Sequence, residues 1–114
     1  MLIILLSLYN SKKNLNSSQH TNVSRTNVHV LIFGHVQGVW FRASTKEKAE
    51  QLGLKGWVRN THNGCVEAVF QGNKNQVDEM IDWCHQGPSL AKVQKVDFLK
   101  KQSLDNFDDF QIRY

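Results

Sequence analysis

Val28-His29-Val30-Leu31-Ile32-Phe33-Gly34-His35-Val36-Gln37-Gly38-Val39-Trp40-Phe41-Arg42 changes character half-way along. Its first six residues are rich in β-branched and aromatic side chains and stop at a glycine, which predicts a strand over 28–33. Gly34 to Gly38 reads as a short loop with a glycine at each end. Past it the spacing becomes helical: Thr45, Ala49 and Leu52 follow Phe41, and Gly53 supplies a C-cap, so a helix is expected over 42–52. Ser44 with Glu47 fits a capping box near its start.

Downstream the signals alternate again. Lys55–Asn60 predicts a second strand, Asn63-Gly64 a hairpin turn, and residues 65–71 a third strand with Val66, Ala68 and Phe70 on one face. A second helix is expected over 74–86, with Val77, Met80, Ile81 and Cys84 as its apolar stripe, Asp78 and Glu79 as an acidic first turn, and Gly87-Pro88 as its stop. Alternation returns at 93–99, and Phe110–Tyr114 fits an added edge strand. The order βαββαβ plus a terminal β predicts an α+β fold, a ferredoxin-like split βαβ sandwich. Its mixed, mainly antiparallel sheet would carry both helices on one face. In that topology the first two strands run parallel with the third between them. The loop after the first strand and the end of the second then emerge at one sheet edge, roughly 10 Å apart.

The chain has 114 residues, 40% of them apolar and eleven aromatic, enough for one core. That content excludes full disorder, and two cysteines, Cys65 and Cys84, exclude a disulfide scaffold. The net charge of +4 is unevenly spread. Residues 1–27 hold Lys12, Lys13 and Arg25 with no acid, whereas 28–114 hold eleven cations against ten anions. A nearly neutral folded part argues against a phosphate-tracking surface, so nucleic acid is not an expected partner.

Residues 1–26 read as a polar, disordered tail with a short apolar start, and 27–114 as the folded domain. The apolar run at 2–8 would span about 10 Å as a helix, too short for a hydrocarbon core of about 30 Å. It lacks the preceding basic residues of a secretory signal, since Lys12 and Lys13 follow it. No stable membrane association and a cytoplasmic location are expected. The sequons at Asn16 and Asn22 fall in an Asn/Ser-rich stretch where such matches arise by chance.

The loop before the first helix carries the first chemical signal. Arg42 would face the positive end of a helix dipole, at a cost of a few tenths of a kcal/mol. An anion held by backbone N–H groups, the helix end and the guanidinium fork removes that conflict. A glycine-punctuated turn with a solvated arginine is the plainer alternative. Asn60, at the end of the second strand, fits a turn residue; equally, its carboxamide can orient a water and donate to an anion.

Gly34-His35-Val36-Gln37-Gly38-Val39-Trp40-Phe41-Arg42 resembles the first signature of the acylphosphatases, Gly-x-Val-Gln-Gly-Val-x-(Phe/Tyr)-Arg. Gly56-Trp57-Val58-Arg59-Asn60, followed by Gly64-Cys65-Val66 and Gly72, is similar to the second. Gly87-Pro88 with Ala91, Val93 and Val96, and the ending Phe110–Tyr114, also look like that family. The resemblance spans about residues 28–114. It implies hydrolysis of a carboxyl–phosphate bond to a carboxylate and inorganic phosphate, without metal or cofactor. Carried over by residue, Arg42 would bind the phosphoryl group and Asn60 would position the attacking water. The amides of Val36, Gln37, Gly38, Val39, Trp40 and Phe41 would complete the cradle. His35 and Trp40 stand where the pattern is open and take no essential role. A monomer is expected.

The chemistry needs little more. The leaving carboxylate has a pKa near ~4 and requires no general acid. Loose phosphoryl transfer spreads charge over the equatorial oxygens, which calls for donors and a cation. A substrate phosphate oxygen can take the water's proton. A different class of reading is a non-catalytic phosphate- or carbamoyl-phosphate-binding module of the same fold. A third, an RNA-binding sandwich, would need exposed sheet aromatics, whereas Trp57, Phe70 and Phe98 are expected to pack the sheet. The histidines at 20, 29, 35, 62 and 85 have no metal-ligand spacing. Cys84 is expected in the core and Cys65 partly exposed.

Overall fold

The computed structural model describes residues 25–99 and 105–114. The apolar run at 2–8 and both sequons lie outside those residues. Seven elements follow in the order β1 (Arg25–His35), α1 (Phe41–Gln51), β2 (Lys55–Asn60), β3 (Val66–Asn73), α2 (Lys74–Cys84), β4 (Lys92–Leu99) and β5 (Phe110–Arg113). The strands form one sheet in the order β4-β1-β3-β2-β5. β3 lies antiparallel between β1 and β2, so β1 and β2 point the same way, as the split βαβ reading requires. β5 adds to the outer edge of β2 in parallel, with Val58 beside Ile112.

Alternation along the three central strands makes the sheet two-sided. Val30 and Ile32 of β1, Val58 of β2, and Val66, Ala68 and Phe70 of β3 are buried in one cluster with Phe41 and Ala49 of α1 and Val77, Met80, Ile81 and Cys84 of α2. Both helices therefore cover one face. The other face displays His29, Trp57, Arg59 and Glu67, each half-buried. Burial pushes the Cys84 thiol up from its ordinary value of 9.0, because a thiolate there would lose its hydration. Both cysteines are free.

Several local expectations are corrected. α1 starts at Phe41, one residue before the expected start, on a cap formed by the backbone of Trp40 at φ 66° and ψ 22°. No side chain caps it, so Ser44 and Glu47 form no capping box there. α2 ends at Cys84, two residues short of the expected 86, and Asp78 and Glu79 fall in its second turn. They pair instead with Lys74 at 2.7 Å and with Lys48 of α1 at 3.6 Å. Cys65 is buried, not partly exposed, and Phe98 is 55% exposed on edge strand β4 instead of packing the sheet. β1 is longer than 28–33 at both ends. Its register shifts between Phe33 and Gly34, where β1 bends away along β4. A Cβ at Gly34 would lie 2.1 Å from the Lys92 carbonyl oxygen, so only glycine permits that approach.

Candidate active site

The bend at Gly34 delivers the chain into the loop 36–40 and then straight into α1. Two buried side chains, Val36 and Val39, pin this loop to the core. Between and after them, Gly38 at φ 75° and Trp40 at φ 66° take left-handed backbone. Residues in such conformations beside right-handed or extended neighbours turn successive N–H groups toward one concavity. The start of α1 adds its own orphan donors. Ser44 N–H is bonded to the Trp40 carbonyl at 3.0 Å, and the amides before it lie in the turn that has no intrahelical acceptor. α1 has no acidic residue in its first turn to answer its dipole.

Phe41 anchors this helix start: its ring is buried, edge-on to Trp83 at 5.5 Å, and its carbonyl accepts a 2.7 Å bond from the Thr45 hydroxyl. Arg42 is thereby directed to the rim. Among the described residues no carboxylate pairs with it; its guanidinium lies over the Tyr114 ring at 5.0 Å from the centroid. Lys46 bonds the Phe110 carbonyl at 2.9 Å and ties α1 to β5, which brings Ile112 and Tyr114 alongside.

These elements enclose a cleft of about 370 Å³ lined by Val36, Gly38, Trp40, Phe41, Arg42, Ala43, Asn60, Ile112 and Tyr114. That volume suits a small ligand. Asn60 enters from the end of β2, on the same face as Val58. Its Oδ1 is buried, and among the described residues no donor reaches it. Leaving a buried acceptor unmatched costs about 1–3 kcal/mol, so such an atom in a cleft marks where a ligand or water belongs.

A family model for acylphosphatases matches residues 28–112. The chain belongs to the acylphosphatase family. It is 51% identical over 87 residues to the acylphosphatase of Syntrophus aciditrophicus, covering 76% of this chain and 91% of that one. Among solved structures it resembles the acylphosphatase of Coxiella burnetii with a TM-score of 0.73 at 38% identity, covering 78% of this chain and 93% of that one. The Bacillus subtilis acylphosphatase gives 0.74 at 28% identity, covering 80% and 100%.

The acylphosphatase fold thus brings most of the candidate residues to one cleft: Val36, Gly38, Trp40, Phe41, Arg42 and Asn60 line it directly. Val39 is buried beneath the loop. Gln37 is placed differently, with its side chain turned to the β2–β3 turn. His35 is exposed and makes no side-chain bond among the described residues. Ala43, Ile112 and Tyr114 were not legible as cleft residues. The lining of Ala43 follows from the first turn of α1, but that of Ile112 and Tyr114 depends on β5 joining β2. No three His, Cys, Asp or Glu residues converge among the described residues. No helix among them is long and apolar enough to cross a membrane.

Proposed function

We propose that this acylphosphatase-family chain hydrolyses acyl phosphates in the cleft between the 36–41 loop and the end of β2, with Arg42 and Asn60 as its catalytic side chains. The phosphoryl group sits against the amides of Val36–Phe41 and the first turn of α1, with the Arg42 guanidinium completing the cradle. Charge on the equatorial oxygens grows or redistributes in the transition state, and preorganised donors stabilise it without reorganisation. Asn60 Oδ1 accepts a hydrogen bond from the attacking water and holds it in line with the phosphorus. The water oxygen bonds to phosphorus while the bond from phosphorus to the acyl oxygen breaks. The electron pair leaves with the carboxylate, and the water's proton passes to a phosphate oxygen. The observation that carries this reading is the buried Asn60 Oδ1, without a donor among the described residues, in the same cleft as a cation that no carboxylate among those residues pairs.

The domain acts as a monomer on a small acyl phosphate, with residues 27–114 as the working unit and 1–26 outside the chemistry. A cytoplasmic location is supported by two unpaired cysteines. The test is benzoyl phosphate hydrolysis by the full chain in the presence of EDTA, for wild type, Arg42→Ala and Asn60→Ala. Turnover is expected in wild type and falls about 10³-fold or more in each variant. A folded wild type that binds phosphate without turnover would instead favour a binding module.

A further inference from the structure

The segment that forms the cradle and the strand that carries Asn60 are not hydrogen-bonded neighbours. β1 pairs with β3 only as far as Ile32 opposite Val66, and after its register shift the remaining residues pair with β4 alone. β3 begins at that same Val66, which is also the partner of Asn60. Beyond this point the sheet forks. The loop 36–40 rises on one side and the turn 61–65 on the other, with no strand between them among the described residues.

The Gln37 side chain bridges the fork. Its Nε2 donates to the Thr61 carbonyl at 2.8 Å and to the Cys65 carbonyl at 2.8 Å, 24 and 28 residues away. Those two acceptors close one tight turn: Thr61 N–H bonds the Cys65 carbonyl at 2.9 Å, and Cys65 N–H bonds the Thr61 hydroxyl at 3.0 Å. Thr61 directly follows Asn60. At the other end, Gln37 is flanked by the buried Val36 and lies two residues before the buried Val39. The amide therefore joins two stiff pieces, one holding the phosphoryl cradle and the other holding the carboxamide that faces it.

We propose that Gln37 is a positioning residue for the reaction, its side-chain amide setting the separation between the phosphate cradle and Asn60 and hence the line along which water meets phosphorus. This rests on the reading of Asn60 given above. In-line attack tolerates little error, and a misplacement of about 1 Å costs on the order of 10²-fold in rate. Phosphate binding, by contrast, uses the loop and Arg42 and does not need the hairpin.

The test is a double-mutant cycle in the full chain. Gln37→Met keeps the length and removes the donors; Gln37→Asn keeps the amide on a stem one methylene shorter. With benzoyl phosphate, each is expected to lower kcat about 10- to 100-fold. KM and competitive inhibition by inorganic phosphate should stay within about twofold. In an Asn60→Ala background the same substitutions should change kcat by less than about twofold, because the group being positioned is gone. A residue that merely stabilises the fold would act equally in both backgrounds. An unchanged kcat, a full loss repeated in the Asn60→Ala background, or phosphate inhibition weakening in step with kcat would each overturn the proposal. If Gln37→Met does not fold, Gln37→Asn carries the cycle. Wild-type kcat in Asn60→Ala alone would overturn the water-holding reading and this proposal together, whereas a loss there with additive behaviour overturns only the role of Gln37.

Discussion

Glu67 and Asn60 stand one register step apart on neighbouring strands, and the sheet treats them in opposite ways. Glu67 is on the open face. His29 Nε2 lies 2.6 Å from one of its oxygens, and Arg59 reaches the other through Nε at 2.7 Å and Nη2 at 2.6 Å. Around it Trp57 meets the His29 ring edge-on at 5.8 Å and in turn carries Arg113 at 4.8 Å. Asn60 is on the helix-covered face, and its buried oxygen has no donor among the described residues. A polar group whose work is internal is matched by the fold itself. The Asn60 oxygen, with no donor among the described residues, is left free to take a hydrogen bond from a water or a ligand.

This contrast separates activity from stability. Asn60→Ala should lower benzoyl phosphate turnover about 10³-fold, while its Tm stays within about 3 °C of wild type, because among the described residues Asn60 Oδ1 has no protein donor to lose. A melt several degrees below wild type would place Asn60 with Glu67 as a structural group. Glu67→Ala should show the reverse. We expect about 1–2 kcal/mol of stability lost in urea unfolding, limited by the exposure of Arg59, with kcat within about twofold. A parallel fall in kcat would dissolve the distinction between the two faces.

Two smaller effects extend the same contrast. Cys84, behind the sheet on α2, is matched by staying neutral. Its folded value is raised, so its unfolded form ionises first and binds fewer protons above pH 9. Stability then falls as pH rises, by about 1 kcal/mol between pH 9 and 10 relative to Cys84→Val. Equal slopes in the two proteins would show that the thiol ionises in place. Trp40 is the site-side counterpart, left-handed at φ 66° and 76% exposed. Trp40→Gly should raise stability by about 0.5 kcal/mol, measurable as a small increase in Tm, since little packing is lost and the backbone strain is relieved.

Much of this molecule is written locally. The change of period across Gly34–Gly38, the Asn63-Gly64 turn and the stripe from Val77 to Cys84 each depend on residues a few positions apart, and they suffice for the order of elements. Arg42 beside a helix start is likewise a local conflict that points to an anion. The misplaced details share a different cause. The start of α1 is decided by a left-handed Trp40 that closes the loop, which overrides the local capping signal of Ser44 and Glu47. Cys65 is buried in a turn whose carbonyl takes a hydrogen bond from Gln37, and Phe98 is exposed on β4, which among the described residues pairs on one side, with β1.

Local pattern is enough to read the alternation that makes a two-sided sheet and the motif residues that belong at one of its edges. Which polar atoms find partners follows from long-range packing. Gln37 finds the Thr61 and Cys65 carbonyls, and Glu67 finds His29 38 residues away, only once three strands are in register. That Asn60 Oδ1 meets no donor among the described residues depends on everything surrounding it in space, because a hydrogen bond needs a donor within about 3 Å and sequence distance says nothing of that approach.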